Sequence, residues 1–104
     1  MKASKENILH YLKEIKSELQ EKGIDEIALF GSYAKDTQSV YSDIDIAISK
    51  NTHFLNTYSS YNYFDIIANL KAKIRKKFHR NIDIFDLDSK STFKESIKKE
   101  LIYV

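Results

Sequence analysis

Three acidic residues and one Gly-Ser pair carry the chemical information in this sequence. Asp43 and Asp45 stand two apart in the alternating run Asp43-Ile44-Asp45-Ile46-Ala47-Ile48, and residues two apart on a strand project to the same face. Without neutralisation two such carboxylates repel, and one of them tends to keep its proton. A divalent cation relieves that repulsion, and ligation by oxygen alone suits Mg²⁺, with Mn²⁺ as the alternative. Asp83 lies in a second alternating run, Asn81-Ile82-Asp83-Ile84-Phe85, and faces away from its isoleucines as the first two acids do. Gly31-Ser32 closes a short apolar run, with ten residues between the pair and Asp43. A glycine at a strand end lets the backbone approach a bulky anion, and the free N–H groups and hydroxyl of a following helical turn make an anion site. A phosphate cradle beside carboxylates able to hold divalent ions is what metal-assisted phosphoryl or nucleotidyl transfer requires.

Each part alone has a plainer structural account. A Gly-Ser pair commonly makes a strand-to-helix turn with a serine cap, and a lone Asp-x-Asp is commonly the solvated face of an edge strand. Two better-known sites are excluded. A P-loop needs a second glycine followed by Lys-Ser or Lys-Thr, and an EF-hand needs an acid or amide and then a glycine where Ala47 and Ile48 stand. The conjunction of three carboxylates on one expected sheet face with the Gly-Ser turn at its end favours the chemical account. Asp86 and Asp88 are expected in a loop at the strand exit.

The elements that position these residues follow from hydrophobic spacing. Ile8, Leu12, Ile15 and Leu19 recur at helical intervals after a serine N-cap at Ser4, and Gly23 is the expected C′ residue. Glu26–Phe30 suits a buried strand, and Ser32–Ser42 a loop or a single helical turn. Asp43–Ser49 is a strand with an apolar side and an acidic side. A polar connection over Asn51–Tyr58 leads to a long helix with Tyr61, Phe64, Ile67, Leu70, Ile74 and Phe78 as its inward stripe. Asn81–Phe85 is the third strand. Thr92 and Glu95 form a candidate capping box for a last helix whose Phe93, Ile97 and Leu101 face inward. The order predicts a small α/β (α+β) domain, a mixed sheet with its helices packed mainly on one face, over residues 1–104.

Composition narrows the class. The chain has 104 residues, no cysteine and a net charge of +2, which excludes a disulfide framework and a thiolate site and gives little footprint for nucleic acid. No apolar run reaches the roughly 20 residues a membrane helix needs, and the charged N-terminus lacks a signal-peptide core. A cytoplasmic protein is expected. The basic run Lys71, Lys73, Arg75, Lys76, Lys77, His79 and Arg80 is expected to be the solvated side of the long helix, with contact to RNA or an acidic partner as the rival account.

The segments Leu29-Phe30-Gly31-Ser32-Tyr33-Ala34-Lys35, Ser42-Asp43-Ile44-Asp45-Ile46 and Asn81-Ile82-Asp83-Ile84 resemble the DNA polymerase β-type nucleotidyltransferase superfamily. Within it they are closest to the minimal nucleotidyltransferases, and the likeness covers nearly the whole chain. The resemblance implies a polymerase β-type core in which Gly31, Ser32 and Lys35 bind the nucleotide. Asp43, Asp45 and Asp83 would be the catalytic and metal-binding residues, holding two Mg²⁺ ions (or Mn²⁺), with Asp83 helping to take the acceptor's proton. Lys35 and Asp36 depart from the arginine and glycine usual there: lysine lacks the bidentate fork, and Asp36 adds a negative charge.

A chain of this length is used up by such a core, so the acceptor surface is expected on a partner protein. Minimal nucleotidyltransferases resemble antitoxins that pair with HEPN ribonuclease toxins. The resemblance therefore implies an ATP-dependent protein adenylyltransferase antitoxin that transfers AMP to a tyrosine of a HEPN-type toxin. Neutralisation of the partner by binding alone is one alternative. A small-molecule enzyme of the aminoglycoside type is the other.

Overall fold

The computed structural model of the protein describes residues 1–51, 60–89 and 92–104. In chain order they form α1 (Lys5–Glu21), β1 (Ile24–Phe30), α2 (Gly31–Ala34), β2 (Ile44–Lys50), α3 (Ser60–Phe78), β3 (Ile82–Asp86), α4 (Phe93–Ile97) and β4 (Ile102–Tyr103). The first helix starts where its sequence says it should, because the Ser4 side chain accepts the Asn7 N–H at 3.1 Å. It ends at Lys22 and Gly23, whose φ of 94° only glycine adopts freely.

The four strands make one mixed sheet in the order β3-β2-β1-β4. β1 is antiparallel to both β2 and β4, and β2 is parallel to β3. A parallel pair cannot be joined by a hairpin, so α3 supplies the crossover between β2 and β3. Alternation along each strand then separates two faces. Ile27 and Leu29 of β1, Ile44, Ile46 and Ile48 of β2 and Ile82 of β3 form the larger core with α1 and α3. On the other face Ala28, Phe30 and Ala47 pack with Leu87 and with Ile97 of α4. The fold is therefore the expected small mixed sheet, with its two long helices on one face and only the short α4 on the other.

Several details differ from the sequence expectations. Phe64 does not face inward: it is 69% exposed, and the stripe runs instead through Tyr63, Ile66, Ile67, Leu70, Ile74 and Phe78. Residues 63 and 64 are both aromatic, so spacing alone cannot choose between them. The expected connection over Asn51–Tyr58 lies outside the described residues beyond Asn51, as does the side chain of Tyr61. The last helix is only five residues long, and Thr92 has helical φ and ψ and makes no side-chain cap, so the capping box is not formed. Leu101 lies beyond that helix, packed against the smaller core. The chain then ends as β4, because Ile102 and Tyr103 complete the edge beside Leu29 and Ala28.

Asp86 is also not a loop residue. It ends β3 and accepts hydrogen bonds from Lys50 Nζ and, at 2.9 Å, from the Tyr63 hydroxyl. Burial opposes its charge, yet Lys50, the Asp88 N–H and Tyr63 together hold its carboxyl below the usual carboxylate range. The same environment pushes the Tyr63 hydroxyl well above its ordinary value.

Ile74 of α3 lies in the larger core and is 0% exposed. Ile74→Ala is expected to destabilise the protein by about 2–5 kcal/mol through lost transfer energy and an unfilled cavity, read as a lower urea midpoint. A loss below about 0.5 kcal/mol would show that α3 is not packed there as described.

Candidate functional site

The expected site residues come from three neighbouring strands at one end of the sheet. Asp45 is the second residue of β2; its Cα partners are Phe30 on one side and Asp83 on the other. Adjacent strands lie about 4.8 Å apart, so the two carboxylates start from side-by-side positions on the face opposite the isoleucine core. Asp43 precedes β2 by one residue, and the strand is anchored there by the Ile44 N–H donating to the Asn81 carbonyl at 2.9 Å. Asp43 and Asp83 are exposed and Asp45 is half-buried.

Gly31 follows Phe30 directly and has φ +76°. A Cβ built on it would lie 2.2 Å from Asp45 Oδ2. The Asp45 carboxylate thus rests in the space a side chain would take, against the turn that begins α2. The first-turn N–H groups of a helix have no partner within it, so this turn offers backbone donors beside a carboxylate. Ser32 is half-buried in that turn, its carbonyl taken by the Thr37 N–H at 2.9 Å.

Lys35 stands at the C-cap of α2, and its ammonium donates to Glu100 Oε1 at 2.9 Å. The C-terminal segment therefore reaches the site, a contact that no motif or spacing in the sequence announces. Asp36 is explained by its backbone: its φ is 57°, in the left-handed region where aspartate is among the few side chains tolerated. Its carboxylate lies 4.0 Å from the Lys5 ammonium, which directs its charge toward the start of α1. Tyr33 is buried in the core and Tyr41 is 91% exposed.

Burial pushes the Asp45 carboxyl up to about 6, and Asp83, Asp43 and Glu100 push in the same direction. The raised value marks a half-buried carboxylate that is crowded by other acids and offset by no cation. The donors are all oxygen, which fits a hard divalent cation such as Mg²⁺. Among the described residues no three His, Cys, Asp or Glu side chains close on one point, so the remaining ligands of such an ion would have to come from water or substrate.

Two outcomes follow. An acid whose pKa is raised on folding contributes stability that is complete below its unfolded value and is lost as pH rises through its folded value. For Asp45 that window runs from 3.8 to about 6. In EDTA the protein should therefore lose stability relative to Asp45→Asn between those pH values, so that urea midpoints favour the variant more at neutral pH than in mild acid. A gap that does not change with pH would refute the charge accumulation. Gly31→Ala should cost about 1–2 kcal/mol for the left-handed backbone. It should also abolish the pH dependence just described, since the new methyl group displaces the carboxylate.

Comparison with known proteins bears on the whole arrangement. The family model described as "Polymerase beta, Nucleotidyltransferase" matches residues 13–104. A solved structure described as "Crystal structure of the toxin-antitoxin with AMP-PNP" is similar at 27% identity with a TM-score of 0.52. That match covers 88% of this chain and 63% of the other, so the chain spans a little under two thirds of that protein's length. Curated proteins give no significant match. The family match takes in every strand of the sheet and the carboxylates it aligns, and the chain therefore belongs to the polymerase β-type nucleotidyltransferase family.

Proposed function

We propose that this chain is a divalent-metal-dependent nucleotidyltransferase that uses ATP and serves as the antitoxin of a two-protein module, transferring AMP to a tyrosine of a HEPN-type toxin. The observation that carries the catalytic part is the alignment of Asp45 with Asp83 across β2 and β3, against a Gly31 whose missing side chain makes room for the Asp45 carboxylate. Membership of the family supports the reaction class. The similar structure, a toxin–antitoxin with AMP-PNP, supports an adenine nucleotide and a protein partner.

The residues divide the work by position. Gly31 and Ser32 bind the triphosphate through the first turn of α2, and Lys35 contributes a cation once it exchanges Glu100 for phosphate. Asp43, Asp45 and Asp83 would hold the Mg²⁺ ions, which when bound neutralise the carboxylates and polarise the α-phosphate. The acceptor oxygen attacks the α-phosphorus, the bond from that phosphorus to the β-bridging oxygen breaks, and pyrophosphate leaves. Asp83, on the outermost of the three strands, receives the acceptor's proton. The new bond is a phosphodiester between AMP and the tyrosine oxygen.

The test uses ATP labelled on the α-phosphate, Mg²⁺, and the product of the adjacent gene. Label is expected on a partner tyrosine, with a fall on the order of 10²-fold or more for Asp43→Asn or Asp45→Asn and complete loss in EDTA. A tight complex that gains no label would overturn the transferase and leave an antitoxin that acts by binding alone. Label on the tyrosine of a partner without a HEPN ribonuclease site would overturn the partner assignment.

A further inference from the structure

The chain has fifteen lysines and two arginines, and both arginines, Arg75 and Arg80, line one cleft of about 490 Å³. His79, Asn81, Tyr41 and Asp43 also line it. The cleft lies where β2 and β3 begin and includes Asp43 itself, whereas Gly31 and Ser32 do not line it.

The helix end builds this cleft. Arg75 lies in the last turn of α3 and His79 directly follows the helix. The His79 N–H donates to the Arg75 carbonyl at 2.7 Å, and His79 takes φ 56°, the left-handed geometry that closes a helix. That turn brings Arg80 back beside the helix end, where its guanidinium donates to the His79 carbonyl at 3.1 Å. Its Nε is buried without a hydrogen-bond partner.

Several lysines are paired within the chain. Lys22 and Lys73 bond to Glu18, Lys35 to Glu100, and Lys50 to Asp86 and Asp88. Among the described residues neither Arg75 nor Arg80 has an acidic partner. The helix dipole accounts for a cation in the last turn of α3, and so for Arg75, but Arg80 lies beyond the helix. A guanidinium is a planar fork that fits two oxygens of a carboxylate or phosphate. The neighbouring groove shares His79 with this cleft and adds Lys73, held by Glu18, Lys77, 5.4 Å from the centre of the Tyr11 ring, and Lys76. The net charge of +2 gives little footprint for a polyanion.

We propose that the Arg75–Arg80 cleft, which Asp43 also lines, binds a short acidic segment of the acceptor protein and so brings the acceptor hydroxyl to the carboxylates. The assignment rests on the protein-acceptor reading above and adds to it what the acceptor must carry. A negatively charged patch lies beside the modified residue.

The experiment uses three fluorescent probes with the intact protein: a tyrosine peptide flanked by glutamates, the same peptide flanked by glutamines, and a single-stranded oligoribonucleotide. Anisotropy in EDTA is expected to show the glutamate peptide binding about tenfold or more tighter than the glutamine peptide, the scale of one charge-assisted pair. Arg75→Gln with Arg80→Gln should erase that preference while leaving the ATP- and Mg²⁺-dependent rise in melting temperature unchanged. Arg75→Lys with Arg80→Lys keeps the charge but not the fork and should retain only part of the preference, which covers the case in which the glutamine variant does not fold. Equal binding of the two peptides, or tighter binding of the oligoribonucleotide, overturns the proposal. Because binding is read without chemistry, the two assignments fail separately. Selective capture with no AMP transfer refutes the transferase, and transfer without acidic preference refutes the cleft.

Discussion

The Asp45 carboxylate occupies the volume that any side chain on Gly31 would fill, 2.2 Å from the position of the missing Cβ, and the site depends on that contact. It requires the end of β1, the start of α2 and the second residue of β2 to meet, which only one strand register allows. That register is set on the opposite face. Ile44, Ile46 and Ile48 are fully buried between the helices and the sheet, and a slip by one residue would put the aspartates into the core. Packing and chemistry are thus one constraint seen from two sides of β2. The isoleucines hold the strand, and the strand then holds the carboxylate against a backbone turn.

Charge is distributed unequally along the same two strands. At the far end Lys50, Tyr63 and the Asp88 N–H surround Asp86 and keep it ionised. At the near end burial, Asp83, Asp43 and Glu100 all disfavour the charged form of Asp45. Asp83 and Asp86 sit only three residues apart on β3, yet one belongs to an unneutralised cluster and the other to a satisfied ion pair. The difference lies in partners rather than residue type. A satisfied acid stabilises the fold, whereas an unsatisfied one stores a penalty that a bound cation removes.

This contrast explains what could be read from the chain. Alternation in Asp43–Ile48 and Asn81–Phe85 exposes the two faces of each strand directly, since period two is unambiguous over six residues. That β2 and β3 are neighbours, with Asp45 beside Asp83, is tertiary and leaves no trace in either segment. Asp86 follows Phe85 with no sign that Lys50, 36 residues earlier, will meet it. β4 is two residues long and carries no period of its own, so Ile102 and Tyr103 pass for the end of a helix. Tyr63 and Phe64 offered two candidate stripes one residue apart, and only packing chose the first. Composition showed a basic run over Lys71–Arg80, but which cations lacked partners could be seen only once Glu18 and Tyr11 had claimed theirs.

Strand order gives the site a direction. The Gly31-Ser32 turn belongs to β1, Asp45 to β2 between them, and Asp83 to β3 at the outer edge. A nucleotide held by the turn would approach from the β1 flank, leaving the β3 flank open to an acceptor. In-line displacement needs the entering and leaving oxygens on opposite sides of phosphorus, and in the proposed reaction a sheet that separates the two flanks by one strand would supply that opposition. The Lys35–Glu100 pair lies at the end of α2, and the two arginines share a cleft with Asp43. The lysine beside the Gly31 turn is already paired within the chain, whereas neither guanidinium has an acidic partner among the described residues.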